Sequence, residues 1–290
     1  MRKTYLYLSL CFLIACSKPA EIDLPIPESK LILDAKLFQG DSIIVSIDAS
    51  FAAFGEENRG ELDSNSTVFL FEEGVLVEQV ERFGKSRRTF KSFYPTLMNK
   101  EYTIEVTNPS LGLVSGSTFT SNRIGEIISA ELTDTGGVSE LIFTLKDNAS
   151  EEDAYLIFVK IDSIPYIKRL NLRSSDPSLR TFIYDGIGSF DQERKSYVEF
   201  YLNDDQFNGQ EKEFRLIVDD LRWNEAFASE ASIELVVMRI EPIWFAHRKS
   251  LFDQAVSFLG IFSEPARVVQ NVEGGYGIVR SAKSENYIIQ

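Results

Sequence analysis

Ile43, Val45 and Ile47 alternate with Ser42, Ser46 and Asp48, and the same period of two recurs where Tyr102, Ile104 and Val106 alternate with Thr103, Glu105 and Thr107. Successive strand side chains point to opposite faces, so this period demands sheets with one apolar face and excludes helix over these stretches. Between them lie apolar runs at 67–71 and 75–80, joined through Glu72-Glu73-Gly74, which predicts a hairpin. Gln39-Gly40-Asp41-Ser42 predicts a second turn, and 116–120 a further strand. Short strands separated by turn signals over about 95 residues fit a small sandwich of immunoglobulin-like size.

A second series predicts strands at 139–145, 154–161, 181–184, 196–202, 214–219 and 233–240. The stretch from Ala154 to Ile161 is almost wholly apolar, which predicts a central strand covered on both faces. Residues 164–178 contain Pro165 and Pro177 and are expected to be a loop; so is the polar, glycine-dotted stretch 51–65. Pro242 suits the first turn of a helix, and Trp244, Arg248, Leu251 and Ala255, widened by Phe245 and Phe252, follow at helical spacing. The expected fold is therefore mainly β: an immunoglobulin-like β-sandwich over residues 30–122, then a second antiparallel β domain over 123–290 carrying one short helix near 242–258.

The N-terminus carries a different signal. Arg2 and Lys3 precede an apolar run from Tyr5 to Ala15, too short to span a bilayer as a helix and suited to a secretory signal over residues 1–15. The run ends Leu13-Ile14-Ala15-Cys16, which resembles the lipobox of bacterial lipoproteins, in which the cysteine becomes the first residue and is acylated. Three acyl chains exceed what reversible attachment allows, so Cys16 would hold the protein permanently on membrane lipid. Ser17 after the cysteine favours the outer membrane by analogy with sorting rules. Residues 16–29, with Pro19, Pro25 and Pro27, form an extended tether.

Composition narrows the chemistry. With 30 Lys+Arg against 44 Asp+Glu the net charge is −14, which argues against a nucleic-acid partner. Loss of residues 1–15 removes two cations and makes the body more negative still, so repulsion from an anionic membrane would favour a body standing off on its tether. One His and two Cys exclude most zinc sites and thiol or histidine catalysis, and Cys16 is consumed by lipid. His247, the one imidazole, is expected to be a satisfied surface or interface residue. No catalytic residues are expected, and Gly186-Ile187-Gly188 lacks the third glycine of a dinucleotide fingerprint.

Hard oxygen ligands crowd the stretch from Asp147 to Asp153, making Asp147, Glu151 and Asp153 candidates for structural calcium; no other cofactor is expected. The loop Asp204-Asp205-Gln206-Phe207-Asn208-Gly209 has the glycine of an EF-hand but Arg215 where its bidentate Glu should stand. Solvated acidic turns are the alternative for both. Loop aromatics Phe51, Phe54, Tyr166 and Tyr184 are candidates for ligand stacking or a protein interface.

Phe262-Ser263-Glu264-Pro265, followed by Asn271-Val272-Glu273-Gly274-Gly275-Tyr276-Gly277-Ile278, resembles the closing signature of the domain of unknown function 4249 family. The string from Asn203 to Gly209 and Glu21-Ile22-Asp23-Leu24 after the lipobox fit the same resemblance. Gly260-Ile261 and Gly274 depart from its pattern. The resemblance implies an outer-membrane lipoprotein of Bacteroidetes type, associated with TonB-dependent receptors, and implies no catalytic residue. Pro265 and the glycines are expected to serve the fold, permitting positive φ or close backbone approach where a last strand meets the sheet. The expected role is a non-enzymatic, surface-facing accessory or substrate-capture subunit partnered by a β-barrel. A glycan-binding adhesin or glycan-active enzyme, and a structural subunit of an envelope assembly, are the alternatives.

Overall fold

Alternation in the sequence becomes alternation in burial. Along β1 (Leu31–Phe38) and β2 (Ile43–Ala49) every second side chain is buried, and β6 (Lys100–Asn108) repeats the pattern. The computed structural model describes residues 28–50, 62, 65–135, 138–149, 151–163, 166–182, 199–219, 232–257 and 266–289. The signal segment, Cys16, the tether to Pro27, Phe51, Phe54, Tyr184, Gly186-Ile187-Gly188 and Phe262-Ser263-Glu264-Pro265 lie outside these described residues.

The protein is mainly β, built of large antiparallel sheets, with one helix among the described residues. Strands β3 (Thr67–Glu72) and β4 (Val75–Arg82) form the expected hairpin. Glu73 and Gly74 both take positive φ, the requirement of a two-residue turn matched to strand twist. β4 links the two layers of the first sandwich: it pairs with β3 along most of its length, and Glu81 and Arg82 pair with β5 (Thr89–Ser92). Leu33, Val45, Leu70, Tyr102 and Ile104 fill the space between the layers. β7 (Gly112–Thr120) starts earlier than the sequence suggested and runs antiparallel to β6.

The end of the chain completes this sandwich. β16 (Val272–Glu273) pairs with β7, while β17 (Tyr276–Ile289) lies parallel to β1 over Tyr276–Ala282. Past that point β17 continues antiparallel to β15 (Ser232–Ile240), so one strand stitches both halves of the protein together. Among the described residues the strand pairs are thus antiparallel except at β1–β17, where nearly the whole chain serves as the crossover that a parallel pair requires.

In the second half, β10 (Ala154–Ser163) pairs with β15, β11 (Tyr166–Arg169) and β13 (Phe200–Asn203). A facing sheet holds β8 (Glu126–Thr135), β9 (Val138–Lys146), β14 (Glu211–Val218) and β12 (Leu172–Arg173). Tyr155, Ile157 and Val159 of β10 point into the core between these sheets, beside Phe143 and Phe214. Ala154, Leu156 and Phe158 point the other way, toward helix α1 (Pro242–Ser257) with Trp244 and Phe245. The apolar run is therefore covered on both faces.

Three expectations need correction. The stretch 164–178 holds β11 and β12 rather than loop alone, because Leu170 and Leu172 supply buried side chains to the inter-sheet core. Thr181 and Phe182 form no strand; Arg180 alone bridges to Tyr201. On α1, Leu251 is exposed, whereas His247 and Ser250 are buried. Polar side chains occupy the buried face there because the segment leading into β16 packs on it.

His247 and Ser250 together tie down that segment. The His247 Nδ1–H donates to the Val269 carbonyl at 2.5 Å, and the Val269 amide donates to Ser250 Oγ at 2.9 Å. The imidazole is thus a buried internal clamp, not a surface residue. Burial pushes its pKa below the ordinary value, and the Val269 contact opposes this only in part. The neutral ring is the folded form, so its contribution is complete above about pH 6.5 and declines as pH falls below that value. Urea unfolding is expected to show stability dropping below pH 6.5, at no more than about 1.4 kcal/mol per pH unit. His247→Gln is expected to remove this component; an unchanged slope in the variant would assign it elsewhere.

Candidate functional site

The two acidic loops singled out in the sequence converge. Antiparallel pairing of Ala154 with Asn203 brings the loop before β10 against the loop after β13. Asp147, Asp153 and Asp204, all buried, then offer carboxylate oxygens within 4.8 Å of one another. Glu151 is not among them. It is exposed and pairs outward with Arg123 at 2.5 Å.

Each carboxylate of this knot has protein donors. The Asp153 carboxylate accepts from Arg239 Nε at 2.8 Å and faces Arg123 at 3.7 Å. Asp147 accepts from the Tyr155 hydroxyl and, at 2.8 Å, from the Gly209 amide. Asp204 accepts from the Asp153 amide at 2.8 Å, and its own amide donates to the Asp153 carbonyl at 3.1 Å. Burial raises the pKa of Asp204, opposed by the amide contact and reinforced by the neighbouring carboxylates. Burial likewise drives the Tyr155 hydroxyl far above its usual value, helped by its bond to Asp147. A calcium ion here would have to displace Arg239 from Asp153 and Tyr155 from Asp147. The donor set therefore fits an internal polar knot better than a calcium cage of Asp147, Glu151 and Asp153.

Above the knot, between the two halves of the protein, opens a cleft of about 640 Å³. Arg123, Glu151 and Arg239 line it from one side, Glu101 and Phe119 from the other, with Glu241 at the head of α1. Glu241 accepts from Thr118 Oγ1 at 2.5 Å and from the Phe119 amide at 2.9 Å, which fastens the helix to β7. Its pKa is raised by burial against the lowering effect of those bonds. Asn271 closes the back: its amide donates to the Ser117 and Val279 carbonyls, and its oxygen accepts from the Val279 amide at 2.9 Å. Arg123, Arg239, Glu151 and Glu241 are each held by the contacts just described, whereas the Glu101 carboxylate and the half-exposed Phe119 ring are left to the cleft.

Tyr166 starts β11, its backbone opposite Ser163, away from the knot. The convergence of Asp204 with Asp147 and Asp153, and the role of Arg239, were not legible from spacing. Each loop announced its oxygens, but only the β10–β13 register placed them together.

These features define a class: a mainly β protein of joined sandwiches with a polar cleft at their junction. No family model matches the chain, and no curated protein matches it either. Among solved structures it is similar to a Corynebacterium diphtheriae protein described as membrane anchored, at 9% identity and a TM-score of 0.21 over 73% of this chain and 55% of that one. It is also similar to the BSP domain of a biofilm associated protein, at 9% identity and a TM-score of 0.20 over 93% of this chain and 62% of that one. The chain thus spans less than two thirds of either. No described helix is long and apolar enough to cross a membrane.

Proposed function

We propose that this is a lipoprotein of the outer membrane, facing the cell exterior, that acts as a non-enzymatic accessory or substrate-capture subunit of a TonB-dependent transporter or related complex. The observation that carries the reading is Leu13-Ile14-Ala15-Cys16 at the end of a signal-type apolar run. The proline tether and the resemblance of the closing signature to a lipoprotein family support it. A polar cleft in which Arg123, Glu151, Arg239 and Glu241 are already paired with protein groups suits binding rather than turnover.

Purification through a C-terminal tag from native membranes in mild detergent is expected to recover a large β-barrel with the protein. Recovery of the monomer alone would overturn the accessory role.

A further inference from the structure

Net charge averages over a surface that is far from uniform. Five of the ten residues from Arg82 to Lys91 are basic (Arg82, Lys85, Arg87, Arg88 and Lys91), in a chain with 30 Lys+Arg in 290. They form the turn between β4 and β5 and its shoulders. Arg88 bonds Asp48 at 2.9 Å, whereas exposed Lys85 and Arg87 have no ion-pair partner among the described residues.

Strand register fixes where this turn points. The Ile47 amide donates to the Arg88 carbonyl, and Ile47 lies opposite Leu33 of β1. The turn therefore projects from the end of the sandwich at which β1 begins, where the chain arrives from Cys16 and its tether. Exposed apolar side chains share that end: Tyr276 stands opposite Ile32, and Leu113 packs its carbonyl against Gly274. Phe83, Leu113 and Tyr276 are 54%, 55% and 45% exposed, and Lys30 lies over the Tyr276 ring at 5.7 Å. Glu28 and Glu273 are the unpaired acidic residues described there.

Cations beside half-exposed aromatic and aliphatic groups match an anionic headgroup layer, with the charges at the phosphates and the rings at the interfacial level. We propose that this end of the first sandwich docks on the anionic lipid surface that holds the anchor, so that the body stands on that end with the cleft, lined from the opposite end of β6 and β7, directed away from the membrane. The proposal rests on lipidation at Cys16. Each Lys or Arg at such a surface is worth about fivefold. Lys85 and Arg87 together then shift the balance between docked and standing-off states by roughly 25-fold.

The test uses the lipidated mature chain in vesicles of phosphatidylcholine with or without phosphatidylglycerol. Mass analysis of Cys16 comes first, and an unmodified cysteine would remove the anchor reading. Docking would then be read on the same protein by sedimentation with the same vesicles. Fluorophores are placed through Ser110→Cys, in the turn before β7 at the proposed end, and through Gln39→Cys, at the far end of β1. Headgroup quenchers are expected to dim the 110 label in anionic vesicles and leave the 39 label unchanged. High salt, or Lys85→Glu with Arg87→Glu in a protein of unaltered circular dichroism, is expected to lower the docked ratio by roughly 25-fold or more. Equal dimming at both labels, or dimming at 110 indifferent to charge reversal and to anionic lipid, would overturn the proposal. So would no dimming in vesicles together with cross-linking of position 110 to a protein in native membranes, which would assign this end to an acidic protein partner.

Discussion

Asp153→Ala is expected to destabilise the protein by about 3–5 kcal/mol, read as a fall in its urea midpoint. The Asp153 and Arg239 side chains are only 2% and 9% exposed, so removing the carboxylate leaves a buried guanidinium with its short bond to Asp153 broken. The remaining Arg123 cannot compensate, since it is itself a cation committed to Glu151. Asp204→Asn is the informative contrast. Burial and two neighbouring carboxylates raise the Asp204 pKa, so its charge opposes folding near neutral pH and protonation favours the folded state. An asparagine keeps the acceptor for the Asp153 amide and removes the charge, so stability is expected to hold or rise slightly. A loss with Asp204→Asn as large as that with Asp153→Ala would show that the negative charge is required, as a cation site would demand.

Gly277→Ala is expected to cost at least about 3 kcal/mol, measured by thermal unfolding. Gly277 has φ +124°, and a Cβ there would lie inside the contact radius of the Leu33 carbonyl oxygen across the β1–β17 pair. Backbone cannot give way as the tip of a flexible side chain can. The comparison is Gly40→Ala in the β1–β2 turn, where φ is +76° and nothing stands within 4 Å of the added carbon. That variant is expected to lose only the left-handed backbone cost of about 1–2 kcal/mol. Equal losses at the two positions would mean that the close approach of β17 to β1 contributes nothing.

Much of the fold was legible in particular residues. The β3–β4 hairpin followed from Glu73-Gly74, the start of α1 from Pro242, and the two-sided burial of β10 from its apolar run. The glycines at the start of β17 announced a close approach, and Gly275 and Gly277 sit against the Leu31 and Leu33 carbonyls. The length of β17 and its partners were hidden because its middle is polar: Arg280 and Ser281 are buried, Arg280 through its bond to Asp34 at 2.9 Å. Local periodicity does not register a polar residue whose partner lies more than 240 positions away.

The sequence by itself determined the class of elements and their signals, since strand alternation, turn residues and the Cys16 motif are properties of neighbouring residues. Tertiary structure alone decided which strands pair. Register across β10 and β13 turned two separate acidic loops into one knot with Arg239 at its edge, and register across β1, β2 and β5 put the basic turn at the end where the tether enters. Such groupings depend on hydrogen bonds between distant segments, which composition and spacing do not encode.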